Sequence, residues 1–120
     1  MIMFKKLSPQ VWTILLTVFL TFQTFAETQV FYLTLENHVF TPSSLEIPAN
    51  KKVKVIIHNK DKVPEEFDSF ELNREKVIFP GKKAVIYVGP LPAGEYKYFG
   101  EYHPNSARGR IIVKGDANVN

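Results

Sequence analysis

The chain has 120 residues, with 15 Lys and Arg against 12 Asp and Glu, and it contains no cysteine. This length fits one domain with a modest core, and basic residues that alternate with acidic ones exclude the concentrated positive charge of a DNA-binding or other nucleic-acid surface. The lack of cysteine excludes disulfide bonds, a thiolate nucleophile and a thiolate metal ligand.

The amino-terminal segment has the organisation of a secretory signal. Two lysines, the apolar run VWTILLTVFLTF and the small-residue sequence Thr24-Phe25-Ala26 follow one another. The run is short for a transmembrane helix, so we expect a signal peptide over 1–26 with cleavage after Ala26, the alternative being an uncleaved anchor. The remaining domain, 27–120, is then expected to be periplasmic or secreted. Without the two leader lysines it keeps 13 basic against 12 acidic residues, a net charge of +1.

Beyond this segment, short apolar runs recur about every ten residues between Pro, Gly and Asn clusters. This spacing is typical of a small antiparallel sandwich or barrel, and no stretch has a convincing helical period. Val53, Val55 and Ile57 share one face of their strand, which predicts that this face is buried and that His58, on the other face, is exposed. The predicted strands are 29–35, 44–47, 52–58, 66–71, 83–88, 95–100 and 108–113.

Turn signals predict which loops share an end of the sandwich. The turns Pro48-Ala49-Asn50 and 89–94 (GPLPAG) are expected at one end. Because successive antiparallel strands reverse direction, the connections that alternate with these turns should meet at the opposite end. The segments expected there are 38–43, 59–66, 72–81 and 100–108.

From about residue 38 to residue 113 the sequence resembles the cupredoxins, and GEYKYFGEYHPNSARGRIIV is the most specific part of the match. The resemblance implies an all-β, Greek-key cupredoxin-like β-sandwich. It places the family's copper-binding cysteine on Gly100, the following histidine on His103, the methionine near Ala107 and the first histidine on Glu65. Because a blue-copper centre needs a thiolate with two histidines, we expect no type 1 copper site.

A narrower resemblance concerns the segments NKDKVPEEFDSFELNREKVIFPG and GPLPAGEYKYFGEYH. These are similar to periplasmic cupredoxin-like proteins associated with bacterial ferrous-iron uptake through a high-affinity iron permease. In those relatives an EEF segment, an acidic residue two positions before the last histidine, and the histidine of an H-x-F-x-P segment recur. The corresponding metal-ligand candidates here are Glu65, Glu66, Glu101, His103 and His38.

Carboxylate and imidazole ligands suit iron, manganese, zinc or tetragonal Cu(II), and we expect the metal ion to be iron or copper. Each candidate also has a structural explanation. The pair Glu65 and Glu66 could be a solvated loop, and strand phase does not choose between them as ligands. His103 could cap the turn at Pro104, and His38 could be a hydrogen-bonded histidine at the edge of the sandwich.

The resemblance implies an accessory protein of iron uptake. It would bind iron or copper and assist Fe(II) oxidation or handover, with an iron permease complex or a periplasmic iron-binding protein as its partner. The alternative is a metal-free interaction domain that docks on a membrane complex. A hydrolase is disfavoured because no nucleophile with a paired base is present, and no catalytic residue is assigned.

Overall fold

A computed structural model describes residues 18–23 and 27–115. The predicted cleavage site at Ala26 and most of the predicted signal peptide lie outside these residues, and so does the carboxyl-terminal tail. Within the described ranges the chain forms nine strands and no helix, so no helix there could cross a membrane. The strands are β1 (Val30–Glu36), β2 (Val39–Thr41), β3 (Ser44–Pro48), β4 (Val53–Asn59), β5 (Glu65–Ser69), β6 (Arg74–Ile78), β7 (Lys83–Val88), β8 (Gly94–Gly100) and β9 (Arg108–Lys114).

The strands form two sheets, in the orders β2-β1-β4-β7 and β3-β9-β8-β5-β6. This confirms the predicted all-β sandwich. The sheets are mixed, however, because β1 pairs with β4 and β3 pairs with β9 in parallel. The expectation of antiparallel pairing throughout was therefore wrong. The parallel pairing of β1 with β4 arises because the chain leaves the first sheet to form β3 in the second. It then returns to form β4, which runs beside β1 in the same direction.

Two strands, β2 and β6, fall in segments that the sequence predicted to be loops. β2 has only three residues and follows a tight turn in which Asn37 and His38 have φ of 53° and 60°. β6 lies at the edge of its sheet, where its first four residues face solvent at least in part. Edge strands commonly carry charged side chains because these discourage pairing with other chains. The charge run Arg74-Glu75-Lys76 thus belongs to an edge strand.

Alternation along β4 determines one half of the core. Val53, Val55 and Ile57 are at most 1% exposed, whereas the residues between them lie on the outer face of the sheet. His58 is on that outer face, as predicted from strand phase, but it is half-buried and not fully exposed. The buried face packs against the second sheet, so the sandwich has one continuous apolar core.

Aromatic packing fills the core close to one end of the sandwich. The ring of Tyr98 stacks on Phe67 with centroids 4.9 Å apart and meets Phe40 edge-on at 5.2 Å. A Cβ atom at Gly109 would overlap the Tyr98 ring, which explains why glycine stands there. Burial raises the pKa of Tyr98 above its usual value, so this phenol stays protonated and has a packing role.

The two ends of the sandwich are assigned by contacts between turns. The backbone N–H of Asn50 donates to the carbonyl of Leu91 at 2.9 Å, so the turns 48–50 and 89–94 share an end, as predicted. At the other end the turn between β1 and β2, the β4–β5 loop and the β8–β9 loop lie side by side. Asp61 of the β4–β5 loop accepts a hydrogen bond from the first, and Glu65, which follows that loop as the first residue of β5, accepts one from the third.

Candidate metal centre

Three of the five predicted ligands come together at this second end. Glu65 is the first residue of β5 and points into the sandwich, while His38 lies in the β1–β2 turn and His103 in the β8–β9 loop. One potential ligand atom from each lies within 4.8 Å of the other two. The side chain of Glu65 is 1% exposed, and those of His38 and His103 are 39% and 30% exposed. The group is therefore anchored in the core and open at the surface.

Glu65 is the centre of the hydrogen bonding in this group. Its Oε1 accepts from the backbone N–H groups of Tyr102 at 2.9 Å and Glu66 at 3.1 Å, and its Oε2 lies 2.6 Å from Nδ1 of His103. A buried carboxylate is tolerated only when such partners replace water. Glu65 thus ties the β8–β9 loop to β5.

Strand phase, once the bounds of β5 are known, distinguishes Glu65 from Glu66. Glu65 and Phe67 alternate inward along β5 and are buried, whereas Glu66 faces outward. Sequence alone does not distinguish the two, because the predicted strand 66–71 includes both Phe67 and Phe70, which lie on opposite faces of a strand. In the structure β5 ends at Ser69 and Phe70 is 79% exposed, so Phe70 carries no information about the phase.

The positions assigned to the cupredoxin cysteine and methionine lie beside Glu65. A Cβ atom at Gly100 would stand 2.6 Å from Cδ of Glu65 and 2.7 Å from Cβ of Ala107. The carboxylate therefore occupies the space into which a side chain at residue 100 would extend. With no cysteine in the sequence, these residues do not fit a type 1 copper ion, which needs a thiolate.

The two imidazole rings are stacked. The centroids of His38 and His103 are 3.6 Å apart and their planes differ by 13°. A metal ion binds close to the plane of an imidazole, along the nitrogen lone pair, so parallel stacked rings cannot both direct a lone pair at one ion between them. One ring would have to turn for both imidazoles to bind the same ion. The buried Nδ1 of His38 has no hydrogen-bond partner among the described residues, which leaves that ring with an unmet donor or acceptor.

Glu66 and Glu101, the other two predicted ligands, do not join this group. The backbone N–H of Glu101 donates to the carbonyl of Glu66 at 2.9 Å, which places the two residues side by side. The negative charge of Glu66 and a hydrogen bond with Asp68 raise the pKa of Glu101, with smaller contributions from burial. These carboxylates form a separate acidic cluster, and their ligation of a metal stays a prediction.

Replacing Glu101 with glutamine is expected to stabilise the fold at neutral pH. A carboxyl group whose pKa is raised on folding is destabilising when ionised, and this cost disappears as the pH falls through the raised pKa towards the unfolded value. The melting temperature of Glu101→Gln should exceed that of the wild type at pH 7, and the difference should vanish near pH 4. Glu95→Gln is the control, because Glu95 lies 3.3 Å from Arg110 and gains nothing from neutralisation. Equal melting temperatures of Glu101→Gln and the wild type at pH 7 would contradict electrostatic repulsion between Glu101 and its acidic neighbours.

The converging donors are two imidazole nitrogens and one carboxylate. Such sets bind divalent zinc, iron and copper in proteins and leave coordination positions open. Asp61, whose Oδ2 lies 3.4 Å from Nδ1 of His38, was not predicted from the sequence. Its only sequence signal is its position two residues after Asn59, the last residue of β4.

Comparison with known proteins identifies one protein family to which the sequence is similar. The model of the cupredoxin-like domain family matches residues 10–113. The uncharacterized protein RP394 of Rickettsia prowazekii is 42% identical over 81 residues, which cover 68% of this chain and 65% of the relative. The chain thus matches less than two thirds of the length of that curated relative.

Solved structures show the same fold. The purple cupredoxin from Nitrosopumilus maritimus is 22% identical, with a TM-score of 0.56, and the match covers 70% of this chain and 99% of that one. Amicyanin from Paracoccus versutus is 21% identical, also with a TM-score of 0.56, covering 77% of this chain and 86% of that one. At these identities the similarity establishes the fold alone.

Proposed function

The chain belongs to the cupredoxin-like domain family, and from that premise we propose that it binds a divalent transition-metal ion through His38, Glu65 and His103. The observation that carries the proposal is the convergence of three ligand atoms within 4.8 Å at one end of the sandwich. Glu65 supplies a carboxyl oxygen that is held inside the fold, and the two imidazoles are partly exposed, so an ion can enter from the surface.

Ligand chemistry defines the class of ion. Nitrogen and oxygen donors bind Cu(II) most tightly among first-row divalent metals, while supply decides whether iron, zinc or manganese is bound instead. When bound, an iron or copper ion would supply Lewis-acid or one-electron redox chemistry. The protein's part is to hold the ion with a fixed carboxylate and two imidazoles.

A role in iron uptake is the narrower form of this proposal. It rests on the sequence similarity of the EEF, Glu101 and H-x-F-x-P features to periplasmic proteins of iron permease systems. In this form the domain is exported, takes up iron or copper, and assists Fe(II) oxidation or handover to a permease complex or a periplasmic iron-binding protein. Only this narrower proposal predicts export, a protein partner and a role in iron uptake. Metal binding by itself predicts none of the three.

The test is thermal unfolding of the purified protein with and without Cu(II), Zn(II), Fe(II) and Mn(II). A metal ion that binds the folded but not the unfolded protein stabilises the fold by about 2.7 kcal/mol when the free metal concentration is about 100 times the Kd. We expect Cu(II) and Zn(II) to raise the melting temperature. The Cu(II) form should show weak d–d absorption without an intense thiolate band. If none of the four ions stabilises the protein, the proposal fails and the metal-free interaction domain takes its place.

A further inference from the structure

The β4–β5 loop places an aspartate against the turn that carries His38. The carboxylate of Asp61 accepts hydrogen bonds from the backbone N–H groups of Asn37 at 2.6 Å and of His38 at 2.9 Å. Both turn residues have positive φ, 53° and 60°. Asn and His adopt this conformation more often than most residues other than glycine, but it is sparsely populated and is stabilised by contacts with the surroundings. The Asp61 carboxylate thus supports the backbone of the turn from a separate loop.

Asp61 is in turn held from the core. Its backbone N–H donates to Oδ1 of Asn59 at 2.9 Å, and Asn59 is fully buried. The side-chain amide of Asn59 donates to the carbonyls of Val63 at 2.8 Å and Ile78 at 3.0 Å. These bonds connect the loop to β6 of the other sheet, so the position of the Asp61 carboxylate is fixed independently of His38.

The same carboxylate faces the ring of His38. Oδ2 of Asp61 lies 3.4 Å from Nδ1, the buried ring atom that has no hydrogen-bond partner within the described ranges. Histidines that bind a metal usually donate their second ring N–H to a carboxylate or carbonyl group, which sets the tautomer and the ring orientation. A small rotation of the ring would complete such a bond.

Resting on the metal function proposed above, we propose that Asp61 is a positioning residue for His38. It holds the turn through the two backbone N–H groups. It also accepts a hydrogen bond from Nδ1 when the ring turns away from His103, which leaves Nε2 of His38 as the metal-binding atom. Asp61 itself does not touch the ion.

The test compares two variants of Asp61 loaded with Cu(II). In Asp61→Ala we expect the affinity to fall about 10- to 100-fold, the range typical for lost partners of metal-binding histidines. Pulsed EPR should then detect one coordinated imidazole instead of two, because His38 is no longer held. Asp61→Asn keeps an oxygen acceptor for the turn, so it should retain both imidazoles with a smaller loss of affinity. Glu36→Gln, an exposed acid at the end of β1, is the control for lost charge and should bind as the wild type does.

A measurement on the metal-free protein separates this inference from the proposed function. NOE contacts between the rings of His38 and His103 should be present in the wild type and lost in Asp61→Ala. Loss of the ring contact in Asp61→Ala supports the positioning of His38 by Asp61, whether or not the wild type binds an ion. If the contact is lost but the wild type binds no ion, only the proposed function fails. Retention of the ring contact and of two imidazoles in Asp61→Ala would overturn it. Should that variant not fold, an Asp61→Asn protein with no loss of Cu(II) affinity would overturn the proposal equally.

Discussion

Replacing His103 with alanine is expected to weaken Cu(II) binding by at least about 100-fold, because a coordinate bond is lost and the buried carboxylate of Glu65 loses the ring that fixes it. His103 Nδ1 lies 2.6 Å from that carboxylate, and the ring of His103 stacks on His38, so it is the residue that connects the group. Calorimetric titration of Cu(II) measures the change.

The chain contains three histidines, and the third provides a matched control. His58 lies on the outer face of β4, paired with Lys83 of β7, and is not part of the group of His38, Glu65 and His103. His58→Ala is therefore expected to bind Cu(II) as the wild type does. Equal losses in both variants would show that binding is nonspecific, and no loss in His103→Ala would place the site elsewhere.

Replacing Glu65 with alanine should lower the free energy of unfolding by about 1–3 kcal/mol, the usual cost of leaving a buried donor without its acceptor. The variant leaves the N–H groups of Glu66 and Tyr102 and Nδ1 of His103 without their acceptor. It should also abolish metal binding. Urea denaturation of the metal-free protein measures the stability, so this effect does not depend on any ion.

Glu66→Ala is the matched control for this prediction. Glu66 is adjacent in sequence, faces outward and contributes to the repulsion that raises the pKa of Glu101. We expect Glu66→Ala to change the stability little, or to increase it slightly at neutral pH. A loss in Glu65→Ala no larger than in Glu66→Ala would show that the buried hydrogen bonds contribute little.

The core and the strand pattern could be predicted because they follow from local alternation. Val53, Val55 and Ile57 are buried and alternate with half-buried residues on the outer face of β4, and Tyr98 and Gly100 share an inward face of β8. β6 could not be predicted in this way, because an edge strand with three charged residues in sequence has the composition of a surface loop. The parallel pairing of β1 with β4 depends on the crossing between sheets, which no local pattern records.

The sequence was enough to predict which end of the sandwich carries the candidate site, but not which side chains meet there. The sequence named Glu65, His38 and His103 together with Glu66 and Glu101, because resemblance gives positions and not side-chain directions. Whether Glu65 or Glu66 faces inward depends on where β5 ends, a boundary that composition alone fixes poorly.

The buried position of the Glu65 side chain depends on the absence of a side chain at Gly100. The buried carboxylate has room only because residue 100 has no side chain, since a Cβ atom there would lie 2.6 Å from Cδ of Glu65. A buried carboxylate at this end of the cupredoxin-like fold therefore depends on both positions. The candidate ligand atoms around it are oxygen and nitrogen, which are harder donors than a thiolate sulfur.

Pulsed EPR of the wild-type protein with one equivalent of Cu(II) shows whether the two histidines beside Glu65 bind one ion together. Shared binding predicts two coordinated imidazoles, one from His38 and one from His103. One signal should be lost in His38→Ala and one in His103→Ala, while His58→Ala keeps both. A wild-type spectrum with no coordinated imidazole, or one that neither His38→Ala nor His103→Ala changes, would contradict it.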